Sequence, residues 1–292
     1  VIAAPAVILS IILGWNLTFT VLAIGVPTVV YTMLGGVQAV AWTDVKQMGI
    51  IVVGVLAAVV VLVLGLPSEV GLGDALHIAG AAGRLKTIDF TFNFTEKYTV
   101  CSGTLAGLFL MLAYFGCDQS QVQRYLTAKS VDEGRRSLLM SAYVKIPLQA
   151  LILLTGVLMF AYFLFTRPPV LFNPVHQGEV DASARAADYR QLEREFEADF
   201  DARRTAALEL AAARKAGDDA RLASARSAFL DSDAKVKATR ARAANLVKEI
   251  TGDKTYEDVN YVFPTFVTTG LPVGLIGLII AAIFAAAMSS AA

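Results

Sequence analysis

Cysteine and histidine are scarce in this sequence, with two of each in 292 residues. This scarcity weighs against a disulfide framework, and we expect Cys101 and Cys117 to be free thiols. Net charge is also lacking, because 25 basic residues balance 25 acidic ones. A balanced chain is not expected to bind nucleic acid. The sequence also has no cluster of metal-binding side chains and no nucleophile paired with a base, so we do not expect an enzyme.

Apolar residues are abundant instead, at 56% of the chain, and the mean hydropathy is +0.59. Runs long enough to cross a bilayer predict an all-α polytopic membrane protein in contact with lipid. We predict six spans, at about 1–14, 19–35, 47–66, 103–126, 138–166 and 268–292. The first begins and the last ends without a polar flank, so the sequence is expected to be an internal fragment with a truncated sixth span.

The basic residues of the short loops predict the orientation. Lys129, Arg135 and Arg136 lie between the fourth and fifth spans, which places that loop in the cytoplasm. The transmembrane part then comprises residues 1–166, with five spans, and 263–292, with the sixth. Residues 167–262 are expected outside, in an extracellular or periplasmic segment. We expect a multi-pass protein of the cell membrane, specifically a bacterial inner membrane.

The outer segment has a composition of its own, rich in charge and alanine from Asp181 to Glu249. Apolar side chains recur there at helical spacing on both sides of a break at Gly217. The pattern predicts two antiparallel amphipathic helices, a charged hairpin over about 181–250. Two interpretations stay open: a solvated appendage, or a surface that contacts a partner protein or the extracellular mouth of the membrane part.

Two serines near the end of the sixth span are unusual for a membrane helix. Ala286, Ser289 and Ser290 are spaced i, i+3 and i+4, so one carbonyl and two hydroxyls share a helix face. Oxygen ligands of this kind suit a hard cation. The alternatives are hydroxyls that bond back to their own helix, or small residues that let helices pack closely.

The segment from Tyr31 to Gln47 predicts a helix break at Gly35-Gly36, because paired glycines permit a tight turn. Thr43 or Asp44 is then expected to cap the following helix. Alternatively, Asp44 faces a cytoplasmic vestibule and meets a cation, since an ionisable group beside a span is a functional candidate.

The fourth span closes on a polar stretch, from Gly116 through Asp118 and three glutamines that begin at Gln119. A lipid-facing helix does not continue this way, so we predict an irregular helix whose polar groups line a cavity. Tyr114 is either a residue of that cavity or an ordinary core aromatic. Lys145, near Pro147, is expected to extend toward the cytoplasmic interface.

Three blocks of residues together resemble the sodium:solute symporter family, which includes sodium/glucose, iodide, multivitamin, proline and sialic acid transporters. The blocks are Tyr31 to Gln47, Tyr114 to Leu126 and Leu271 to Ser290. The resemblance implies a LeuT-type fold of two inverted repeats, of which this chain would hold core helices three to eight. The charged hairpin would be an extramembrane insert.

The resemblance also implies roles for residues. Ala286, Ser289 and Ser290 match the family's sodium ligands, and Asp44 matches an acidic residue on the sodium exit route or at a second sodium site. Tyr114 matches the inner gate. Phe115 and Met111 stand where sugar transporters carry other residues, which disfavours a sugar substrate.

The implied function is sodium-coupled symport of a small organic solute or anion, with Na+ as the coupling ion and no other cofactor. The alternative is a membrane sensor or interaction protein on a transporter scaffold, with the hairpin as its docking element.

Overall fold

The computed structural model describes residues 2–86, 90 and 99–291, except for the side chains of Ser120 and Arg124. Across these residues it contains helices and no strand. The α-helices are α1 Ala3–Leu13, α2 Leu17–Leu64, α3 Leu72–Ala81, α4 Val100–Gly116, α5 Gln119–Leu126, α6 Val131–Phe165, α7 Gln177–Ala182, α8 Ala186–Ala216, α9 Asp219–Thr251, α10 Val262–Gly270 and α11 Val273–Ala291. A 3-10 turn, Val259–Tyr261, precedes α10.

Two compact units divide these helices. One contains Val1–Arg84 and Leu154–Ala292, and the other contains Leu85–Leu153. The first holds α1, α2, α3 and α7 to α11, and the second holds α4 and α5. Cys101 and Cys117 are free thiols, as predicted.

Helix α2 is broken at Gly36, whose φ of 57° and ψ of −162° are not helical. Before the break, Ile24 packs in a cluster with Ala287 of α11. After it, contacts with α11 run backward, from Ser289 at Asp44 to Ala282 at Gly54. The two halves therefore run in opposite directions along the same helix, which confirms the break predicted at Gly35-Gly36.

Three helices are long and apolar enough to cross a membrane by length and composition, namely α2, α6 and α11. The apolar helices α1 and α4 are shorter. The predicted span at 103–126 is interrupted, because α4 ends at Gly116 and α5 begins at Gln119. The span predicted at 268–292 is also too long, since Pro272 separates α10 from α11. Multi-pass membrane character agrees with these helices.

The charged segment folds into an antiparallel helical pair, α8 and α9, joined at Gly217, which has a φ of 68°. Pairing runs from Arg185 with Glu249 at one end to Arg203 with Asp233 further along. The buried stripe is apolar and comes from both helices. It includes Tyr189, Leu192, Phe196, Phe200, Phe229, Val236 and Leu246. The position of this pair outside the membrane stays a prediction.

Buried charge joins the pair to a membrane helix. Arg203 Nη1 lies 3.3 Å from Asp233 Oδ1, with side chains 10% and 3% exposed. Arg203 Nη2 also donates to the Phe163 carbonyl at the end of α6, at 3.3 Å. Lys237 completes the cluster, 2.6 Å from Asp233. The guanidinium thus donates to the carboxylate through Nη1 and to a backbone carbonyl of α6 through Nη2.

The pair also packs against α3 and the end of α6 through an apolar cluster. Ile78, Leu164 and Phe165 meet Leu210 and Phe229 there. Asp74 of α3 pairs with Arg214 at 3.2 Å and with Lys215 at 3.4 Å. The helical pair is therefore held by packing and ion pairs against α3 and the end of α6.

The first prediction concerns the helix reversal. Gly36→Ala places a Cβ in a backbone region that is essentially restricted to glycine, and we expect a loss of about 1–3 kcal/mol of stability. Gly49→Ala is the matched control, because a Cβ there meets nothing within 4 Å in the same helix. It should be neutral or stabilising by up to about 1 kcal/mol. Unfolding temperatures of the two purified variants compare them directly. Equal unfolding temperatures would contradict the strained turn.

The second prediction concerns the buried arginine. Arg203→Met strands the Phe163 carbonyl and leaves Asp233 with Lys237 alone, so the α8–α9 pair should lose about 2–4 kcal/mol of stability. Arg204→Met, at the exposed neighbouring position, should change it by less than about 0.5 kcal/mol. Hydrogen exchange of α8 and α9 amides measures both. Similar exchange in the two variants would show that the buried network contributes nothing.

Candidate functional site

The contact between Asp44 and Ser289 is the centre of the candidate cation site. The Ser289 hydroxyl donates to Asp44 Oδ1 at 2.7 Å, across 245 residues of sequence. Both side chains are partly buried. Asp44 lies eight residues beyond the break at Gly36, and Ser289 lies near the end of α11. The reversal of α2 is what brings this carboxylate to α11.

The other predicted ligands lie beside this contact. The Ser290 hydroxyl donates to the Ala286 carbonyl of its own helix at 2.8 Å. This is the back-bonded arrangement considered from sequence, and it leaves both oxygens with lone pairs for a cation. Tyr31 adds a hydrogen bond of 3.4 Å to the Met288 carbonyl. Carboxylate, hydroxyl and carbonyl oxygens thus gather at one end of α11.

The predicted cap at Thr43 or Asp44 is wrong. Both residues lie inside the second half of α2, which resumes immediately after Gly36. The Thr43 hydroxyl bonds back to the carbonyls of Ala39 and Val40, at 3.0 and 2.9 Å. A helix needs its cap at its first turn, and here the turn occurs at the glycines. The alternative interpretation, in which Asp44 faces a cytoplasmic vestibule and meets a cation, stays a prediction.

Two oxygens near this site were missed by sequence reasoning. Thr32 Oγ1 and Gln47 Oε1 are buried and have no hydrogen-bond partner within the described residues. They stand on opposite halves of α2, and Gln47 is three residues beyond Asp44, on the same face. A buried polar atom without a partner is costly unless something binds it. Their signal in the sequence was their position at the edges of the Tyr31–Gln47 block.

The predicted gate residues lie in the second unit. Met111, Tyr114 and Phe115 are spaced i, i+3 and i+4 on α4, so they share one face. Tyr114 and Phe115 contact edge to face, with centroids 5.0 Å apart. Helix α4 then stops, and Gln119 opens α5. The irregular backbone predicted for this stretch is present as a break at Cys117–Asp118.

Lys145 makes a contact that sequence reasoning missed. Its ammonium lies over the ring of Tyr114, 5.4 Å from the centroid, and 5.8 Å from that of Phe115. These are cation–π distances. The predicted extension of Lys145 toward the cytoplasmic interface stays a prediction. No local sequence signal gives the ring contact, because α4 and α6 are brought together only by folding.

The chemistry of the two clusters differs. The first offers hard oxygen ligands to a small cation, and no group of three or more His, Cys, Asp or Glu side chains that could hold a metal occurs among the described residues. The second places one positive charge over two aromatic rings.

A profile of the Sodium:solute symporter family matches residues 1–192. The sodium-dependent multivitamin transporter of Oryctolagus cuniculus is 34% identical over 167 residues, which is 56% of this chain and 25% of that protein. The sodium-coupled monocarboxylate transporter 1 of Homo sapiens is 37% identical over 138 residues, 47% of this chain and 22% of that protein. Sodium-coupled monocarboxylate transporter 2 of Mus musculus is 32% identical over 163 residues, 56% of this chain and 26% of that protein.

The chain thus spans about a quarter of the length of these relatives. The profile match ends inside α8, so α9, α10 and α11 lie beyond the matched residues. The relatives are transporters and not enzymes. They are animal proteins, so the bacterial inner membrane stays a prediction.

Proposed function

The chain belongs to the sodium:solute symporter family, and from this we propose that it forms part of a symporter that uses the sodium gradient to import a small organic anion. The observation that carries the proposal is the contact between Asp44 and Ser289, which joins a carboxylate and a hydroxyl at one end of α11. We propose that Na+ binds the hydroxyls of Ser289 and Ser290 and the Ala286 carbonyl. Asp44 receives the ion on its way out or holds a second one.

Alternating access fits this arrangement. In a LeuT-type fold, sodium and substrate bind near the midplane between two inverted repeats, and one bundle rocks against the other. The interruption between α4 and α5, inside the predicted span 103–126, supports such a fold, because backbone irregularity within a membrane is tolerated where it lines a cavity. Each charge that crosses the field contributes roughly 2.3 kcal/mol per 100 mV.

An anionic substrate is supported by Lys145. Its ammonium stands beside Tyr114 and Phe115, the residues that we propose as the inner gate, with Met111 on the same face and Gln119 on the next helix. A carboxylate placed there would gain a charge-assisted hydrogen bond. The names of the relatives point the same way, since two of them are monocarboxylate transporters. Phe115 and Met111 offer no hydrogen-bond donor for the hydroxyls of a sugar.

A second function is favoured by one observation: the family match stops within the α8–α9 pair. A transporter-like sensor, with this pair as the surface for a partner protein, would have such an addition. Sodium-dependent uptake by the full-length protein separates the two functions. A sensor would bind ligand without accumulating it.

The third prediction tests the sodium site. Ser289→Ala and Ser290→Ala each delete one oxygen while leaving the helix intact. A lost contact to a charged partner costs about 1.5–3 kcal/mol, so the half-saturating sodium concentration should rise by roughly one to two decades. Sodium titrations of uptake at fixed membrane potential measure this. Thr268→Ala is the control, because that hydroxyl also bonds back to its own helix but lies on α10.

The control distinguishes a ligand from a packing residue. If Ser290 only bonds back to α11 and Ser289 only bonds to Asp44, all three variants should show the wild-type sodium dependence and differ only in expression. An unchanged half-saturating concentration in both serine variants, with transport still active, would refute the sodium assignment.

The fourth prediction tests the anion. Lys145→Met keeps the apolar stem and removes the charge, so KM for a carboxylate substrate should rise roughly tenfold or more. Uptake of the neutral amide analogue of that substrate should change little in Lys145→Met. Lys129→Met, an exposed lysine between α5 and α6, is the matched control and should leave both unchanged. Equal losses for the acid and the amide would show that Lys145 supports the fold and does not bind the substrate.

A further inference from the structure

A histidine at the base of the α8–α9 pair has carboxylates at both ring nitrogens. His176 Nδ1 lies 3.0 Å from Glu179 Oε1, and Nε2 lies 3.3 Å from Asp253 Oδ2. A neutral imidazole has one N–H and one lone pair, so it donates to only one of these carboxylates and repels the other. The imidazolium donates to both. The geometry therefore matches the protonated ring.

The position of His176 is as informative as its partners. It follows the segment that leaves α6 and immediately precedes α7, whereas Asp253 follows Gly252, the residue that ends α9. The contact thus closes the base of the helical pair, where the chain enters and leaves. Beyond Asp253 the chain continues through the 3-10 turn into α10 and α11.

Other bonds join the same two passages. Asp258 Oδ1 accepts from the amides of Phe172 and Asn173, at 2.6 and 2.9 Å. Asn173 Nδ2 donates to the Glu257 carbonyl at 3.0 Å, and the Tyr256 hydroxyl donates to the Asn173 carbonyl at 3.1 Å. The bond from His176 to Asp253 differs from these, because histidine is the side chain whose ordinary pKa lies close to neutral pH.

We propose that His176 is a proton-controlled clasp: its imidazolium ties α7 to the segment that precedes α10. Loss of the proton leaves one N–H, which stays with Glu179, the nearer carboxylate, and releases Asp253. The contact at the base of the helical pair is then present at low pH, where the ring is protonated, and is lost at high pH. The remaining bonds keep the two passages together, so the change is local and does not unfold the pair.

The groups around the ring favour its protonated form. The charged groups that face it, within the part of the chain that the structure describes, are Glu179 from α7 and Asp253 from the segment after α9. The hydrogen bond to Glu179 raises the pKa of His176 above its ordinary 6.5, burial opposes this rise, and the hydrogen bond to Asp253 adds to it. Hydrogen bonds from Thr255 lower the pKa of Asp253, which stays ionised. Tyr256, centred 6.0 Å away, has a raised pKa and stays neutral.

The direction of the pH effect follows from that raised pKa. A group whose folded pKa exceeds its unfolded value contributes its full stabilisation below the unfolded value, here near 6.5, and loses it as the pH rises through the folded value. The ring is 17% exposed and Glu179 is 62% exposed, so solvent weakens the contact. A local effect of modest size is expected.

The fifth prediction is measured by hydrogen exchange in the full-length protein in lipid nanodiscs. Amide protection of residues 172–176 and 253–258, corrected for intrinsic exchange rates, should fall roughly fivefold between about pH 5.5 and about pH 8.5. His176→Gln should abolish this pH dependence. The matched control is His77→Gln, at the only other histidine in the sequence, and it should retain the wild-type fall.

A second measurement covers the case in which His176→Gln misfolds. Asp253→Asn keeps a hydrogen-bonding side chain without its charge and should flatten the pH dependence in the same two segments. With two histidines, imidazole NMR of labelled protein resolves both rings: that of His77 should titrate below its ordinary range, because burial lowers its pKa, and that of His176 above it. A wild-type fall in protection that persists in His176→Gln, or a His176 ring that titrates at or below about 6.5, would overturn the clasp.

Discussion

The packing of α11 against both halves of α2 is the contact on which the rest of the first unit depends. A single straight helix touches a neighbour once, along one line. Helix α2 touches α11 on its outward run and again on its return, because Gly36 reverses the chain. Glycine is required there by the positive φ, and at Gly35 a Cβ would overlap that of Ala39. Further along, Gly54 lets the helices approach closely, since a Cβ there would lie 3.1 Å from that of Ala282.

That packing has a chemical consequence. It places the one carboxylate of α2, Asp44, against the hydroxyl of Ser289. Thr32 Oγ1 and Gln47 Oε1 of the same helix are buried without a partner within the described residues. Polar groups held in an apolar setting are costly unless they are satisfied. A cation that binds these oxygens would satisfy them. This is the physical basis of the proposed coupling.

The α8–α9 pair also holds polar groups in an apolar setting, and it stabilises them through contacts within the protein. Arg203 is buried in it and Arg240 is partly buried, and both have partners for their outer nitrogens, although neither Nε has one within the described residues. Arg203 uses Asp233 and the Phe163 carbonyl, whereas Arg240 lies over the rings of Phe172 and Phe196 and donates to the Pro169 carbonyl. Burial lowers the pKa of Arg240 to about 10, so it still carries its charge at neutral pH. Through Phe163 and Pro169, these charges tie the pair to the end of α6 and the loop that follows it.

What the sequence by itself determined is local: the apolar helices, the breaks at Gly36 and at Cys117–Asp118, and the spacing that puts Ala286, Ser289 and Ser290 on one face. These depend on helix period and on the backbone freedom of glycine, which nearby residues decide. Only the tertiary structure placed Asp44 against Ser289, Lys145 over Tyr114, and His176 between Glu179 and Asp253, because those pairs are separated by up to 245 residues. It also overturned the cap at Thr43, whose hydroxyl and carbonyl partners lie inside a helix that begins earlier. Contacts between distant segments are set by which faces pack together, and local periodicity does not contain that information.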